Sequence, residues 1–335
     1  MTGAALAVPV FLAGVLVSLS TSWLLVSRLE RIGERFGLSE ALLGMVAALA
    51  ADTPEITTAI TALVHNEQAV GAGVAIGSNV FNLAGLLGLG AVVAGEIALH
   101  RKVVILGGAV GMWVAVACLA AVFGLVSAAA GFVLTLAVLV PYVAILSVEG
   151  RGLGRLSLPR TWTAWMVAAV TEEEIELSEA IRPPRGRARD VGIAAAALVA
   201  VVGASVAMER AASALGRQYA VPQIVVGGLA LAVITSLPNA VAAIYLAARG
   251  RGAAVLSTAL NSNSLNVTFG LLLPAAVTGL DTQSGAAALV AAWYAGLTLL
   301  ALGLAYRDRG LRRSTGALII AAYVVFVAIV LGQGS

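Results

Sequence analysis

Long apolar runs, separated by short clusters of charged residues and glycine, recur along the whole chain. They lie at 4–26, 40–64, 70–95, 103–123, 127–148, 191–208, 220–248, 253–278, 285–305 and 315–332. A helix of about 20 apolar residues crosses the hydrocarbon of a bilayer, and runs of this length are too long for buried strands. The pattern predicts an all-α membrane protein with ten transmembrane helices. One sizeable polar segment interrupts it, which divides the chain into 1–149 (spans 1–5), 150–190 (a linker) and 191–335 (spans 6–10).

Composition agrees with this division: 60% of the residues are hydrophobic and 11% are charged, against about 25% charged in soluble domains. Cys118 is the single cysteine, so no intrachain disulfide can form. No basic region precedes the first apolar run, which therefore reads as a span and not a cleaved leader.

Charge sets the expected orientation. With the N-terminus outside, the connections after odd-numbered spans face the cytoplasm. They hold Arg28, Arg31 and Arg35; Arg101 and Lys102; the seven arginines from Arg151 to Arg189; Arg249 and Arg251; and Arg307 to Arg313. That places 18 of the 20 Lys and Arg residues inside, with Arg210 and Arg217 outside, as the positive-inside rule requires. The expected location is the cell's inner membrane, multi-pass, with both termini extracytoplasmic. Topology thus accounts for the net charge of +3 without nucleic acid as a partner.

The chain also repeats itself. GMVAALAADTPEITTAI (Gly44 to Ile60) matches GLALAVITSLPNAVAAI (Gly228 to Ile244), and GSNVFN (Gly77 to Asn82) matches NSNSLN (Asn261 to Asn266). The differences 238 − 54 and 262 − 78 are both 184. Five predicted spans separate equivalent positions, an odd number, so the second half is expected to be inverted relative to the first. Inverted repeats are a common plan of secondary transporters. In the linker, TWTAWMVAAV is too short to span. It reads as an interfacial helix with Trp162 and Trp165 at the headgroups, and Glu172, Glu173, Glu174, Glu176 and Glu179 read as a solvated face.

Two acids stand apart from the rest. Asp52 and Glu55 fall near the middle of span 2, where each charge costs about 2.5–3.5 kcal/mol on insertion scales. Their spacing puts them on one helical face, where they repel each other unless a cation or a proton lies between them. Pro54 lies between them and Pro238 at the matching place in span 7. A proline removes a backbone donor, so both are expected to break their helices and free carbonyls near Ala50 and Ile234, which are good ligands for hard cations. Ser78, Asn79 and Asn82 in span 3, Thr235, Ser236 and Asn239 in span 7, and Ser262, Asn263 and Asn266 in span 8 supply further oxygens. Any one of these Asn and Ser side chains could instead join two helices, but all fall at one predicted depth. The expected site is an ion site at mid-membrane, with Asp52, Glu55, Asn82 and Asn266 as its principal metal ligands.

These motifs resemble those of the calcium/cation antiporter superfamily, which includes Na⁺/Ca²⁺ and Ca²⁺/H⁺ exchangers. ADTPE and TSLPN resemble its proline-plus-acid motif, and GSNVFN and NSNSLN its GSN motif. The resemblance implies ten spans with repeats at spans 2–3 and 7–8. It makes Glu55 the first-half carboxylate ligand beside Ser78 and Asn82, and Thr235, Ser236, Ser262 and Asn266 ligands in the second half. It also implies that spans 1 and 6 slide as a gate. Asn239 stands where the family usually has an acid, Asn266 where some members have one, and Asp52 where a small hydroxyl residue is usual. The site charge is therefore at most −2, enough for one divalent ion, two monovalent ions or two protons.

The resulting expectation is a secondary antiporter exchanging Ca²⁺ for Na⁺ or H⁺, with Na⁺/H⁺ exchange as the alternative on the same fold and an ion channel as a further one. An enzyme would need a nucleophile or a metal set. Cys118 stands alone, and His65 and His100 fall at membrane edges. GAGVAIG (71–77) follows no strand, so it reads as helix packing and not a dinucleotide loop. No cofactor is expected beyond the transported cations, and the expected partners of a monomer are those cations and membrane lipid.

Overall fold

The structure is a computed structural model that describes residues 2–38, 40–147, 161, 164–169, 171, 186–280 and 285–332. Each apolar run becomes helical, because in lipid every backbone amide and carbonyl must be satisfied within its own segment. Helix α1 is Thr2–Phe36. Helices α2 (Glu40–Ala51) and α3 (Thr53–Val64) follow, with Asp52 between them. Helix α4 runs Gln68–Ala94, α5 Arg101–Val122 and α6 Ala128–Ser147. After the linker come α7 (Ala188–Gln218) and α8 (Gln223–Ala248). Helix α9 comprises Gly252–Leu265, Asn266–Leu272 and Leu273–Thr278 in unbroken succession. Helices α10 (Gly285–Asp308) and α11 (Arg313–Gly332) complete the described chain.

Eight of these, all but α2, α3 and α9, are long and apolar enough to cross a membrane. The chain is a multi-pass membrane protein. Helices α2 and α3 are each only 12 residues long, and α9 carries the Asn- and Ser-rich NSNSLN.

Helix α4 is the most enclosed and α1 the least: 78% and 22% of their apolar windows are buried. Helix α4 packs on α3, α8, α9 and α10, whereas α1 lies mainly along α7. At the α4–α8 crossing the backbones nearly touch. A methyl group on Gly73 would lie 2.7 Å from the Gly228 nitrogen, and one on Gly77 would lie 2.6 Å from Gly228 Cα. Small residues allow such approach.

Four features depart from the pattern read along the sequence. First, α1 and α7 run well past their apolar runs at 4–26 and 191–208. Their polar extensions are held by partners elsewhere in the chain, Arg28 Nη1 of α1 lying 2.9 Å from Asp190 Oδ1 at the start of α7 and Arg217 at the end of α7 pairing with Glu67, so the helix continues where lipid no longer demands it. Second, Pro238 does not break its helix, which runs unbroken over Ala232–Ala248. One missing amide removes one hydrogen bond, and the bonds on either side carry the helix through. Pro54 sits instead in the first turn of α3, where its fixed φ suits the start of a helix. Third, π turns widen α4 at Leu83–Gly88, α8 at Val226–Leu231 and α9 at Asn266–Leu272. Fourth, the helical plan carries a small ribbon, in which β1 (Glu96–Ala98) pairs antiparallel with β2 (Gly310–Arg312), Ile97 opposite Leu311. The ribbon joins the connection after α4 to the one after α10, two of the basic connections that the charge pattern assigns to one side. In the linker, 164–169 is helical, and Trp165 shares a cavity of about 490 Å³ with Leu106, Thr161 and Met166. Trp162 and the acids from Glu172 to Glu179 lie outside the described residues.

Candidate ion-binding site

Helices α3, α4, α8 and α9 converge on one buried polar cluster. Asp52 falls between α2 and α3, and Pro54 at the start of α3 fixes the turn that follows. Glu55, one turn on, is buried beside it, and the two carboxyl groups interact with each other. Each is held by one donor from α8. Ser236 Oγ donates to Glu55 Oε1 at 2.6 Å, and Asn239 Nδ2 donates to Asp52 Oδ1 at 2.6 Å.

Helices α4 and α9 meet through their asparagines. Asn79 Nδ2 donates to the Asn263 carbonyl at 2.9 Å, and Asn263 Nδ2 returns a bond to the Asn79 carbonyl at 3.2 Å. Asn82 Nδ2 donates to Asn263 Oδ1 at 3.0 Å, and Asn266 Nδ2 to Asn79 Oδ1 at 3.2 Å. Each of these pairs, like the two carboxylate contacts, consists of bonds that exchange when residue numbers shift by 184. Two hydroxyls point into their own helices: Ser78 donates to the Val74 carbonyl and Thr235 to that of Leu231.

These bonds use the donors and leave acceptors. Asp52 Oδ2, Glu55 Oε2, Asn82 Oδ1, Asn266 Oδ1 and Ser262 Oγ are all buried without a hydrogen-bond partner. A buried oxygen without a partner carries a large desolvation penalty, and five in one cluster are far from usual. A cation ringed by oxygens would satisfy them together.

The expected residues therefore divide. Asp52, Glu55, Asn82, Asn266 and Ser262 present free oxygens. Ser236 and Asn239 hold the carboxylates. Asn79 and Asn263 each accept one bond on the amide oxygen, and they join the two helices beside Asn82 and Asn266. No group of three or more His, Cys, Asp or Glu side chains gathers among the described residues, which leaves the cluster with two acids. The sequence pattern passed over Ser22 of α1, buried beside the end of α2. It also passed over Glu209, whose carboxylate is buried in α7 and accepts a bond from Ser213. Ser22 is one of four hydroxyl residues in SLSTS (18–22), and nothing in that stretch marks it from the others; Glu209 lies just past the run at 191–208.

Known proteins resemble this chain in sequence or in fold. Inner membrane protein YrbG of Escherichia coli (strain K12) is 26% identical over 282 residues, covering 82% of this chain and 80% of that one. A structure of the sodium-calcium exchanger NCX_Mj, soaked with Na⁺ and Sr²⁺, superposes with a TM-score of 0.63 at 21% identity, over 97% of this chain and 98% of that one. The H⁺/Ca²⁺ exchanger CAX gives 0.64 at 15% identity, over 98% and 86%. At such identities the likeness is one of fold. The sequence model described as sodium/calcium exchanger protein matches residues 6–149 and 190–332, nearly the whole chain. The chain belongs to the sodium/calcium exchanger family.

Proposed function

We propose that the protein is a secondary antiporter exchanging Ca²⁺ for Na⁺ or H⁺ by alternating access at the Asp52/Glu55 site. The observation that carries this reading is the set of five buried oxygens without partners, two of them carboxylate. Two carboxylates balance one divalent ion, two sodium ions or two protons, so each form of the site can be electrically neutral. Neutrality matters here because an unbalanced buried charge is costly. The family membership and the two exchangers sharing the fold support the same reading.

Ten crossings and two inverted halves belong to this proposal. Helices α2 and α3 together make one crossing and α9 another. The hydrogen-bond pairs at the offset of 184 favour this plan, as do the π turns at matching places in α4 and α9. The two stretches matched by the family model also begin 184 residues apart. The charge pattern then places both termini outside the inner membrane.

Na⁺/H⁺ exchange is the second reading, favoured by the neutral amides of Asn239 and Asn266. Reconstituted vesicles test the two directly. Ca²⁺ uptake should follow an imposed outward Na⁺ or H⁺ gradient, and it should fall as the outer pH is lowered, because protons bind the same carboxylate oxygens as the metal. Coupling of Na⁺ to H⁺ with no Ca²⁺ flux would establish the second reading. Flux that no counter-gradient can drive uphill would mean a channel.

A further inference from the structure

Pro54 has no amide proton, so the carbonyl of Ala50, four residues earlier, lacks its helical partner. A spare carbonyl two residues from Asp52 would suit a hard cation. The structure fills the vacancy from another helix. Ser22 of α1, fully buried, aims its hydroxyl at the Ala50 carbonyl from 3.4 Å, and the Ala51 carbonyl lies at the same distance. These two are the hydroxyl's acceptors among the described residues. Such a shared bond is long and correspondingly weak.

The Ala50 side chain points the same way. It packs with Leu25 of α1 and with Ala194 and Ala197 of α7, in a cluster separate from the main core. The last turn of α2 is thus held to the α1–α7 pair by backbone and side chain alike, while Asp52 just beyond it is held by Asn239 of α8. No counterpart exists in the second half. Pro238 removes the partner of Ile234 in the same way, but the residue 184 positions after Ser22 is Val206, which has no hydroxyl.

We propose that Ser22 is a positioning residue that competes with the transported cation for the carbonyl oxygens of Ala50 and Ala51, so that cation entry detaches α1 from the end of α2. This rests on the antiporter reading of the site. A cation attracts a carbonyl oxygen more strongly than a long bond between neutral groups does. The displaced hydroxyl turns to a carbonyl of its own helix one turn back, as serines in helices do, and that bond bends the helix slightly. Occupancy of the site is thereby communicated to α1 without a charged group moving.

The test uses the full-length purified protein, with equilibrium Ca²⁺ binding in the presence and absence of Na⁺ and exchange in vesicles. Ser22→Ala removes the competitor. It should tighten Ca²⁺ binding about two- to three-fold, the worth of a hydrogen bond at the weak end of the usual range, and slow exchange because release no longer has the hydroxyl's help. Ser22→Thr keeps a hydroxyl and should bind and exchange like the parent. Ca²⁺ affinity that is unchanged or weaker in a folded Ser22→Ala protein overturns the proposal; weaker binding would make Ser22 a ligand. Glu55→Gln separates the two levels. If it abolishes binding while Ser22→Ala leaves affinity unchanged, only the role of Ser22 fails. If Glu55→Gln binds and exchanges normally, the site itself is wrong and the proposal falls with it.

Discussion

Asn266 holds its amide nitrogen against Asn79 and presents its oxygen to the cluster. An amide oxygen can coordinate a cation but cannot balance its charge. Asn266→Asp adds a third carboxylate, and a divalent ion gains twice the Coulomb energy of a monovalent one from it. Ca²⁺ binding should therefore strengthen relative to Na⁺, with slower turnover as release becomes harder. Competition of Na⁺ against labelled Ca²⁺ measures this, and an unchanged ratio in a folded protein would remove Asn266 from the ion's surroundings. The same change deprives Asn79 Oδ1 of its donor, which costs about 1–3 kcal/mol, so a lower melting temperature should accompany the altered selectivity. Asp52→Asn should act in the opposite direction, lowering Ca²⁺ affinity while sparing monovalent exchange; wild-type affinity would show that Asp52 does not balance the ion's charge. Asp52 and Glu55 could be picked out from sequence because a buried charge is rare and conspicuous. Asn79 and Asn82 could not be told apart, because the difference between joining helices and facing an ion lies in which way each amide is turned by a partner on another helix.

At the scale of helices, the crossing of α4 and α8 makes the sharpest demand. A methyl group on Gly77 meets the Gly228 backbone, which cannot yield without separating the helices, whereas one on Gly228 comes no closer than 3.6 Å to the Gly73 oxygen. Gly77→Ala should destabilise the protein by about 1–3 kcal/mol, the usual range for overpacking, while Gly228→Ala should be nearly neutral. Thermal unfolding of the two in detergent distinguishes them; equal stability would mean the helices are not in contact there. Apolar run length located α5, α6, α10 and α11 to within a few residues, because hydrocarbon thickness fixes both. It could not reveal the π turns, since one extra residue in a turn leaves the hydropathy unchanged. Nor could it place the far ends of α1 and α7, which are held by ion pairs to other parts of the chain, Arg28 to Asp190 and Arg217 to Glu67.

At the scale of the whole molecule, the proposed plan has α2–α3 and α9 each cross the membrane. Single cysteines at Arg35 and Glu67 bracket α2–α3, and others at Arg251 and Gly279 bracket α9. Cys118 is buried and should stay silent. An impermeant maleimide applied to intact cells should label Glu67→Cys and Gly279→Cys, and should reach Arg35→Cys and Arg251→Cys only after the membrane is opened. Labelling of both members of a bracket from one side would remove that crossing. The basic residues forecast this arrangement because they are distributed by translocation rather than by packing. The two forecast outside are both tied to the connection between α3 and α4: Arg217 pairs with Glu67 at 2.5 Å, and Arg210 lies 3.2 Å from His65 Nε2.

The reciprocal bonds between Asn79 and Asn263 also bear on how the protein is made. Each amide nitrogen is satisfied by a residue that lies 184 positions away in the chain. A ribosome adds roughly 5–20 residues per second, so the first half waits in the bilayer for tens of seconds with its asparagines unmatched. During that interval it is an incomplete fold with polar groups facing lipid or the translocation machinery. A chain truncated in the linker would remain in that state permanently and should be degraded. Supplying residues 191–335 as a separate polypeptide should rescue it, since the missing partners need only be present, not attached.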